Sequence, residues 1–392
     1  MKGKSSNIYI LFLLLYAVAY MGHAVYTTFF PVYLDNIGLS KTSIATLLSI
    51  GPLVAILAQP VWGSIGDRSK KKNQVLQLLL FGSGISVLLL SLSDHYIYLM
   101  VIICLVSFFQ TSIYPISDAL TLEYLSETNW NFGPIRLAGT VGFAIMSVLF
   151  GMLVKEEMTG IFIVYCTVML LAVLICFCLP KVKGHQSGGK KVSMWVLFKN
   201  RKLVLFLAIS FIVQVTLGYY YAFFPIYYRE MGADNALLGW SMVISAMSEL
   251  PFLLFAHKLI KKFGIPIILL STAFFAGLRW LLLYFVNNPY MVLPIQMLHG
   301  ALFIVLTVTM AMFINEEVPK ELKASGQTLY GLISVGVSRV VGSIIGGVTS
   351  DYVGLRDVFF YNSLIAFVAL IIFSFIFAKE MKFAQNISAE KY

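Results

Sequence analysis

Long apolar stretches, separated by short polar turns, recur along almost the whole chain. An α-helix needs about 20 residues to cross a hydrocarbon core of about 30 Å. A strand in lipid would leave the backbone groups along its edges without hydrogen-bond partners. The pattern therefore predicts membrane-spanning helices. Twelve spans are expected, at residues 8–34, 40–65, 73–93, 97–122, 133–154, 158–180, 203–228, 236–259, 266–286, 290–315, 325–349 and 357–378.

The composition agrees with a protein whose main solvent is lipid. Hydrophobic residues make up 59% of the 392 residues and charged residues 12%, far from the averages of soluble domains. The first apolar stretch continues to Leu34, past the small residues near Gly22 where a signal peptide could end, so we expect an uncleaved first span. The cysteines lie inside apolar stretches without metal-like companions and are expected to be core residues: Cys104, Cys166, Cys176 and Cys178.

Basic residues are distributed unevenly between the two alternating sets of loops. One set holds both ends of the chain and the basic segments at 68–72, 181–202, 258–262 and 320–323. The other set holds only Lys41, Lys155, Arg229 and Arg356. Cytoplasmic loops carry the excess of Lys and Arg, which predicts a multi-pass protein of the cell membrane with both termini in the cytoplasm. The same asymmetry explains the formal charge of +10 without a nucleic-acid partner.

The two halves of the chain resemble each other. The segments "TTFFPVYLDNIG" at 27–38 and "YAFFPIYYREMG" at 221–232 lie 194 residues apart, and each closes the first span of its half. A repeat of six-helix units is typical of transporters, in which two similar bundles give alternating access to a site near the membrane midplane. We therefore expect an N-terminal six-helix bundle at 1–180, a Gly-rich basic cytoplasmic linker at 181–202, and a C-terminal six-helix bundle with a short cytoplasmic tail at 203–392.

The loop after the second span reads "GSIGDRSKKK" at 63–72. It resembles the loop between helices 2 and 3 of the major facilitator superfamily: Gly, two variable residues, Gly-Asp-Arg, and then further basic residues. A plain positive-inside loop would explain the lysines but not Gly66 and Asp67. The resemblance implies a conformational latch formed by Gly63, Gly66, Asp67 and Arg68.

Within that superfamily, the chain resembles the lactose permease and, more strongly, the phenylpropionate permease group over essentially its whole length. The resemblance is carried by "SDAL", "FGPIRLAGTVGFA", "SELPF", "GLRW" and "LHGALF". It implies an all-α membrane protein with twelve transmembrane helices in two pseudo-symmetric six-helix bundles, the major facilitator fold.

Asp118 and Arg136 lie in the fourth and fifth spans, on either side of a turn expected near 125–131. Helical rise places both about 8 to 10 Å into the bilayer, and the cost of an unpaired charge in lipid favours an ion pair between them when no substrate is bound. In the transporters that the chain resembles, an acid and an arginine at these positions hold the substrate. A purely structural ion pair is the alternative.

Phe143 follows Arg136 at the position where the lactose permease stacks its sugar on a tryptophan. A Phe ring can also stack on a substrate ring, but it lacks the indole donor. The substrate-binding residues implied by the resemblance are therefore Asp118, Arg136 and Phe143. An aromatic or other small organic substrate is expected at least as much as a sugar.

Glu249, Arg279 and His299 fall near the middle of the eighth, ninth and tenth spans. Ionisable groups at similar depth in neighbouring helices are expected to face a polar cavity rather than lipid. The resemblance assigns these three residues to proton coupling, and an interhelical hydrogen bond is the alternative for the histidine. Leu302 occupies the position where the lactose permease has a further acid, so Glu249 or Asp118 is expected to carry the proton.

Arg339 in the eleventh span matches no functional position of the resembling transporters. Together with Arg136 and Arg279, it outnumbers the two intramembrane acids by one positive charge. We therefore hypothesise that an anionic substrate, such as a carboxylate, supplies the missing negative charge.

Small and aromatic residues suggest how the helices pack. Glycines let helices approach closely, and a packing role is expected for Gly139, Gly142, Gly151, Gly331, Gly336, Gly342, Gly346 and Gly347. A second group could line the cavity or form an aromatic belt at the outer membrane interface, and the belt is favoured: Tyr219, Tyr220, Tyr221, Phe223 and Phe224.

These features predict a secondary active transporter that imports its substrate as a proton symporter. An efflux antiporter of the same fold is the alternative. Such exporters often carry a Gly-Pro-rich motif late in the fifth span, and the segment "GTVGFAIMSVLFG" at 139–151 has no proline. An enzyme is disfavoured because the five histidines are dispersed without metal-binding spacing and no nucleotide-binding loop occurs. The expected partners are a small-molecule substrate, protons and the lipid bilayer, with no cofactor, no metal and a monomeric state.

Overall fold

The computed structural model describes residues 2–128, 130–154, 158–182, 194–319 and 322–389. Half of the expected linker lies outside the described residues, at 183–193. So do the basic residues Lys155, Lys320 and Lys391, which the expected orientation of the chain uses, and His185.

The described residues form sixteen α-helices and no strand. Before the linker these are α1 (Lys2–Asn36), α2 (Lys41–Arg68), α3 (Lys72–Leu89), α4 (Tyr96–Gln110), α5 (Ile113–Leu125), α6 (Phe132–Leu153) and α7 (Gly160–Cys178). After it follow α8 (Arg201–Glu230), α9 (Asn235–Met247), α10 (Leu250–Phe263), α11 (Ile265–Phe285), α12 (Val292–Gln296), α13 (Phe303–Glu317), α14 (Lys323–Tyr330), α15 (Ser338–Val353) and α16 (Leu355–Ala389).

Several spans are built from more than one helix. The pairs α4 with α5 and α9 with α10 each form one span, and a π-helical segment, Gly331–Val337, joins α14 to α15. Within the described residues, eleven segments are long and apolar enough to cross a membrane. The tenth expected span is present but interrupted, because a turn separates the short α12 from α13.

The chain divides into two compact units. The first contains Met1–Lys190 and Ala222–Val243, and the second contains Lys191–Tyr221 and Ile244–Tyr392. The boundaries expected from the sequence, at 180 and 203, stay a prediction.

In the first unit, α1 packs along α6 and α7. A Cβ atom added to Gly142 of α6 would lie 2.1 Å from the carbonyl oxygen of Ala17, so only glycine allows this approach. A Cβ added to Gly151 would lie 2.2 Å from the carbonyl oxygen of Asn235. In the same unit, Lys41 forms ion pairs with Asp35 and with Glu230, at 2.5 and 3.1 Å.

In the second unit, α11 packs against α13 and α16, and α8 lies directly against α15. A Cβ added to Gly342 would lie 1.9 Å from the carbonyl oxygen of Val215. The packing role expected for this glycine is therefore confirmed. It is wrong for Gly331 and Gly336, where an added Cβ would meet no atom closer than 3.6 Å, because both lie in the π-helical segment.

The sequence repeat reappears in the backbone. Gly38 follows α1 with φ of 82°, and Gly232 follows α8 with φ of 98°. A left-handed residue, most often glycine, commonly ends a helix in this way. Each helix also contains the proline of its Phe-Phe-Pro segment, Pro31 or Pro225. The two segments therefore share a helix ending as well as a sequence.

The surface of the spans is apolar. Leu57, Leu153 and Phe375 have exposed fractions of 74%, 79% and 74%, as expected for side chains that face lipid. Cys104 and Cys178 also lie on this surface, and Cys166 and Cys176 are buried. The expectation of a core position is therefore wrong for two of the four cysteines, because in a membrane protein an apolar stretch contributes lipid-facing positions as well.

Candidate functional site

The first unit surrounds its intramembrane acid and arginine with tyrosines of α1. The carboxylate Oδ1 of Asp118 accepts a hydrogen bond of 2.5 Å from the hydroxyl of Tyr16. The guanidinium carbon of Arg136 lies 4.5 Å from the ring centre of Tyr20. Asp118 and Arg136 form no ion pair in the described part of the chain, so the expected direct pair is wrong for this structure. A hydrogen bond and a cation–π contact stabilise the two charges separately instead.

Phe143 belongs to the same cluster of rings. Its ring centre lies 6.1 Å from that of His23, and the His23 ring lies 5.2 Å from Tyr114. Tyr114 in turn lies 4.5 Å from Tyr20, the ring beneath Arg136. The structure therefore gathers the three expected substrate-binding residues along one face of α1.

Three residues of α1 lie in the same cluster, although the sequence does not place them among the substrate-binding residues: Tyr16, Tyr20 and His23. Their spacing of four and then three residues places them on one helix face, within the segment "YAVAYMGH". Polar or aromatic residues at helical spacing inside an apolar span are the signal that could have identified them.

In the second unit, the expected proton-coupling residues lie at two helix interruptions that touch. Glu249 lies between α9 and α10, and His299 lies in the turn between α12 and α13. The backbone N–H of Gly300 donates to the hydroxyl of Ser248 at 2.8 Å. A Cβ on Gly300 would lie 2.0 Å from the carbonyl oxygen of Ser248. The interruption of the tenth span thus lets its backbone contact the eighth span. It also places polar groups inside the apolar part of both spans.

The two interruptions and α11 together assemble the trio. Nδ1 of His299 lies 3.0 Å from Nη1 of Arg279. Its Nε2 lies 3.7 Å from Oε1 of Glu249 and 3.2 Å from the hydroxyl of Tyr221. Arg279 is fully buried. The three residues therefore contact one another through His299, and their expected role in proton coupling stays a prediction.

The hydrogen bonds of His299 determine where its proton lies. Arginine has only donors, so the contact with Arg279 requires an unprotonated Nδ1. The histidine is then neutral and carries its hydrogen on Nε2, the nitrogen nearest Glu249. A second proton could bind at Nδ1 only if Arg279 moved away. In this arrangement Glu249 is the group of the trio that is able to take up a proton.

A second layer of residues holds Arg279 in place. Its Nη2 donates to Oε1 of Gln296, and that oxygen also accepts a hydrogen bond of 3.0 Å from Tyr220. The Tyr220 ring centre lies 4.1 Å from the guanidinium carbon. Gln296 was missing from the sequence-based set, although an amide three residues before His299 in an apolar span is a polar signal of the same kind.

The tyrosines at 219–221 do not form an interfacial belt. Tyr219 and Tyr220 are buried, with exposed fractions of 1% and 2%, and Phe223 and Phe224 are fully buried. Tyr221 makes its hydrogen bond to His299 inside the unit. The favoured interpretation as a belt is therefore wrong, because these hydroxyls have polar partners in neighbouring helices that the sequence does not display.

The residues expected to form the latch lie where α2 ends. Gly66 is buried, and a Cβ there would lie 3.1 Å from Ile116 Cδ1. Asp67 lies 3.5 Å from Nζ of Lys72, which also pairs with Glu123 at 2.7 Å. In the described residues, Asp67 therefore contacts its own unit.

Comparisons with known proteins agree with this architecture. The chain is 25% identical to the maltose permease of Geobacillus stearothermophilus, over 92% of each chain. It is 22% identical to the probable 3-phenylpropionic acid transporter of Escherichia coli, over 91% of this chain and 94% of that one. The crystal structure of the nucleoside transporter NupG superposes with a TM-score of 0.85 at 17% identity, covering 95% of this chain and 99% of NupG, and shows the same fold.

A family model described as the MFS_1 like family matches residues 7–361, which is most of the chain. The chain therefore belongs to this family of the major facilitator superfamily, whose members are membrane transporters and not enzymes.

Proposed function

We propose that the protein is a proton symporter that imports a small organic solute across the cytoplasmic membrane by alternating access. The solute belongs to the aromatic carboxylate, sugar or nucleoside class. The protein acts as a monomer with both termini in the cytoplasm. The observation that carries this proposal is the buried contact of Glu249, His299 and Arg279 at two helix interruptions.

The arrangement of the trio supports a proton-binding role. Glu249 is the carboxylic acid of this contact, with its Oε1 3.7 Å from Nε2 of His299. Leu302 is fully buried and has no titratable group. The proton of the transport cycle therefore binds at Glu249, and movement of Arg279 away from His299 accompanies its transfer.

The residues of the first unit support a role in substrate binding. Asp118 offers a hydrogen-bond acceptor, Arg136 offers donors, and Phe143 offers a ring face. This combination suits a solute with a ring and polar groups. The similar proteins named above, a maltose permease, a probable 3-phenylpropionic acid transporter and a nucleoside transporter, agree with such solutes. Gly63, Gly66, Asp67 and Arg68 remain the proposed conformational latch.

The test is uptake of radiolabelled solutes into proteoliposomes with an imposed pH gradient, acidic outside. The wild-type protein is expected to accumulate at least one member of a panel of sugars, nucleosides and aromatic acids, and a protonophore is expected to abolish accumulation. Glu249→Gln is expected to lose accumulation and to retain counterflow, because an amide cannot carry a proton while substrate exchange needs none.

The matched control is Glu316→Gln, which removes the same charge from an exposed residue of α13. This variant is expected to accumulate substrate like the wild type. If the Glu249 variant still accumulates substrate in response to the pH gradient, the assignment of the proton carrier is wrong. Accumulation of substrate in vesicles with an acidic interior, driven by protons that leave as substrate enters, would indicate an efflux antiporter instead of an importer.

A further inference from the structure

Arg339 is held in place by a backbone contact between α8 and α15. A Cβ added to Gly218 of α8 would lie 2.7 Å from the Cα of Arg339. The π-helical segment Gly331–Val337 ends two residues before this position. Such segments are rare and are found frequently at functional sites. The backbone of Arg339 is therefore closely constrained, in the first turn of α15, directly after the π-helical segment.

The side chain of Arg339 lies among rings. Its guanidinium carbon is 4.5 Å from the ring centre of Tyr221 and 6.0 Å from that of Phe303. Phe303 stacks with His299 at 5.8 Å and an interplanar angle of 17°. The guanidinium therefore borders the trio on an aromatic surface.

Arg339 differs from Arg279 in what its donors contact. Arg279 is fully buried and donates to Gln296 and His299. Arg339 is half-buried, its Nε atom is shielded without a hydrogen-bond partner, and no acid of the described residues forms an ion pair with it. Of these two arginines in the second unit, Arg339 is the one that is partly exposed and has no hydrogen-bond acceptor among the described residues.

We propose that Arg339 binds the carboxylate of the transported substrate, while Tyr221 and Phe303 pack against the apolar body of that substrate. A guanidinium group can bind a carboxylate through two parallel hydrogen bonds, and the flanking rings offer faces to a planar hydrocarbon. This inference rests on the proposed function and narrows the substrate to organic acids with a planar apolar body.

The test compares an acid with its neutral amide, using radiolabelled 3-phenylpropionate and 3-phenylpropionamide as probes for the purified full-length protein. The wild type is expected to bind the acid more tightly than the amide. Arg339→Gln is expected to raise the Kd of the acid about tenfold or more and to leave the Kd of the amide within about twofold, because only the acid loses a charged partner. Arg339→Lys is expected to retain part of the preference.

Two further variants separate charge from packing. Phe303→Leu is expected to weaken acid and amide alike, by about three- to tenfold. Arg356→Gln is the matched control, because Arg356 is an exposed arginine of the same unit that donates to Asn287, and it is expected to change neither Kd. Thermal unfolding of each variant in detergent checks folding. If Arg339→Gln does not fold, the acid and the amide are compared in Arg339→Lys instead.

An equal loss of acid and amide binding in Arg339→Gln, or no loss of either, overturns the inference. So does a wild-type protein that accumulates neutral sugars or nucleosides and ignores the acid, although the proposed function then stands. A wild-type protein that accumulates no member of the panel contradicts the proposed function, and this inference with it.

Discussion

Asp118 shows how a single charge is accommodated in the first unit. The sequence suggested an ion pair with Arg136, but the carboxylate instead accepts a hydrogen bond from Tyr16. The Tyr16 side chain is almost completely buried. The cost of placing one unpaired charge at the centre of a bilayer is about 2.5 to 3.5 kcal/mol on insertion scales. A phenol lowers this cost without neutralising the acid, and the carboxylate remains able to accept further hydrogen bonds from a substrate.

Tyr16→Phe tests this contact. We expect a loss of about 1 to 3 kcal/mol in the free energy of unfolding, because the half-buried carboxylate loses a charged hydrogen bond. The loss should be smaller when Asp118 is already asparagine. A double-mutant cycle of Tyr16→Phe and Asp118→Asn, measured by unfolding in mixed micelles, gives the coupling. The control is Tyr352→Phe, since Tyr352 is 86% exposed. A coupling energy below about 0.5 kcal/mol would contradict a stabilising hydrogen bond between Tyr16 and Asp118.

At the scale of elements, glycines determine how closely the helices of each unit approach. On α6, an added Cβ at Gly142 would lie 2.1 Å from a carbonyl oxygen of α1, whereas a Cβ at Gly133 would have no atom within 4 Å. The two positions lie on the same helix, so their comparison separates close packing from the intrinsic helix preference of alanine over glycine.

We expect Gly142→Ala to destabilise the protein by about 1 to 3 kcal/mol, because the helices must move apart. We expect Gly133→Ala to be neutral or slightly stabilising. Thermal unfolding of the two variants in the same detergent measures the difference. Equal melting temperatures would show that α1 and α6 can separate at no cost, against the close contact described for Gly142.

The sequence predicted the spans well, because apolar length is a direct requirement of the bilayer. It singled out Glu249, Arg279 and His299, since each is an ionisable residue inside an apolar run, and the structure adds that the three contact one another. It could not predict that the tenth span is interrupted at His299, because the turn depends on a backbone contact with Ser248. It missed Tyr16 and Gln296 for a similar reason: their polar partners lie more than 15 residues away along the chain.

At the scale of the whole molecule, the orientation in the membrane remains a proposal from the distribution of basic residues. Ser69 lies between α2 and α3, beside the basic segment at 68–72, and Ser93 lies between α3 and α4. The two positions therefore lie at opposite ends of one span, α3. Labelling each of them therefore reports on both faces of the membrane in the same background.

We expect Ser93→Cys to react with a membrane-impermeant maleimide in intact cells, and Ser69→Cys to react only after permeabilisation. The background protein has its four native cysteines replaced, because Cys104 and Cys178 lie on the exposed surface of the spans. The unsubstituted background is the control and should remain unlabelled. The reverse pattern would place both termini outside the cytoplasm, since an even number of spans keeps them on one side. The positive charge of the loops would then oppose the orientation that it normally directs.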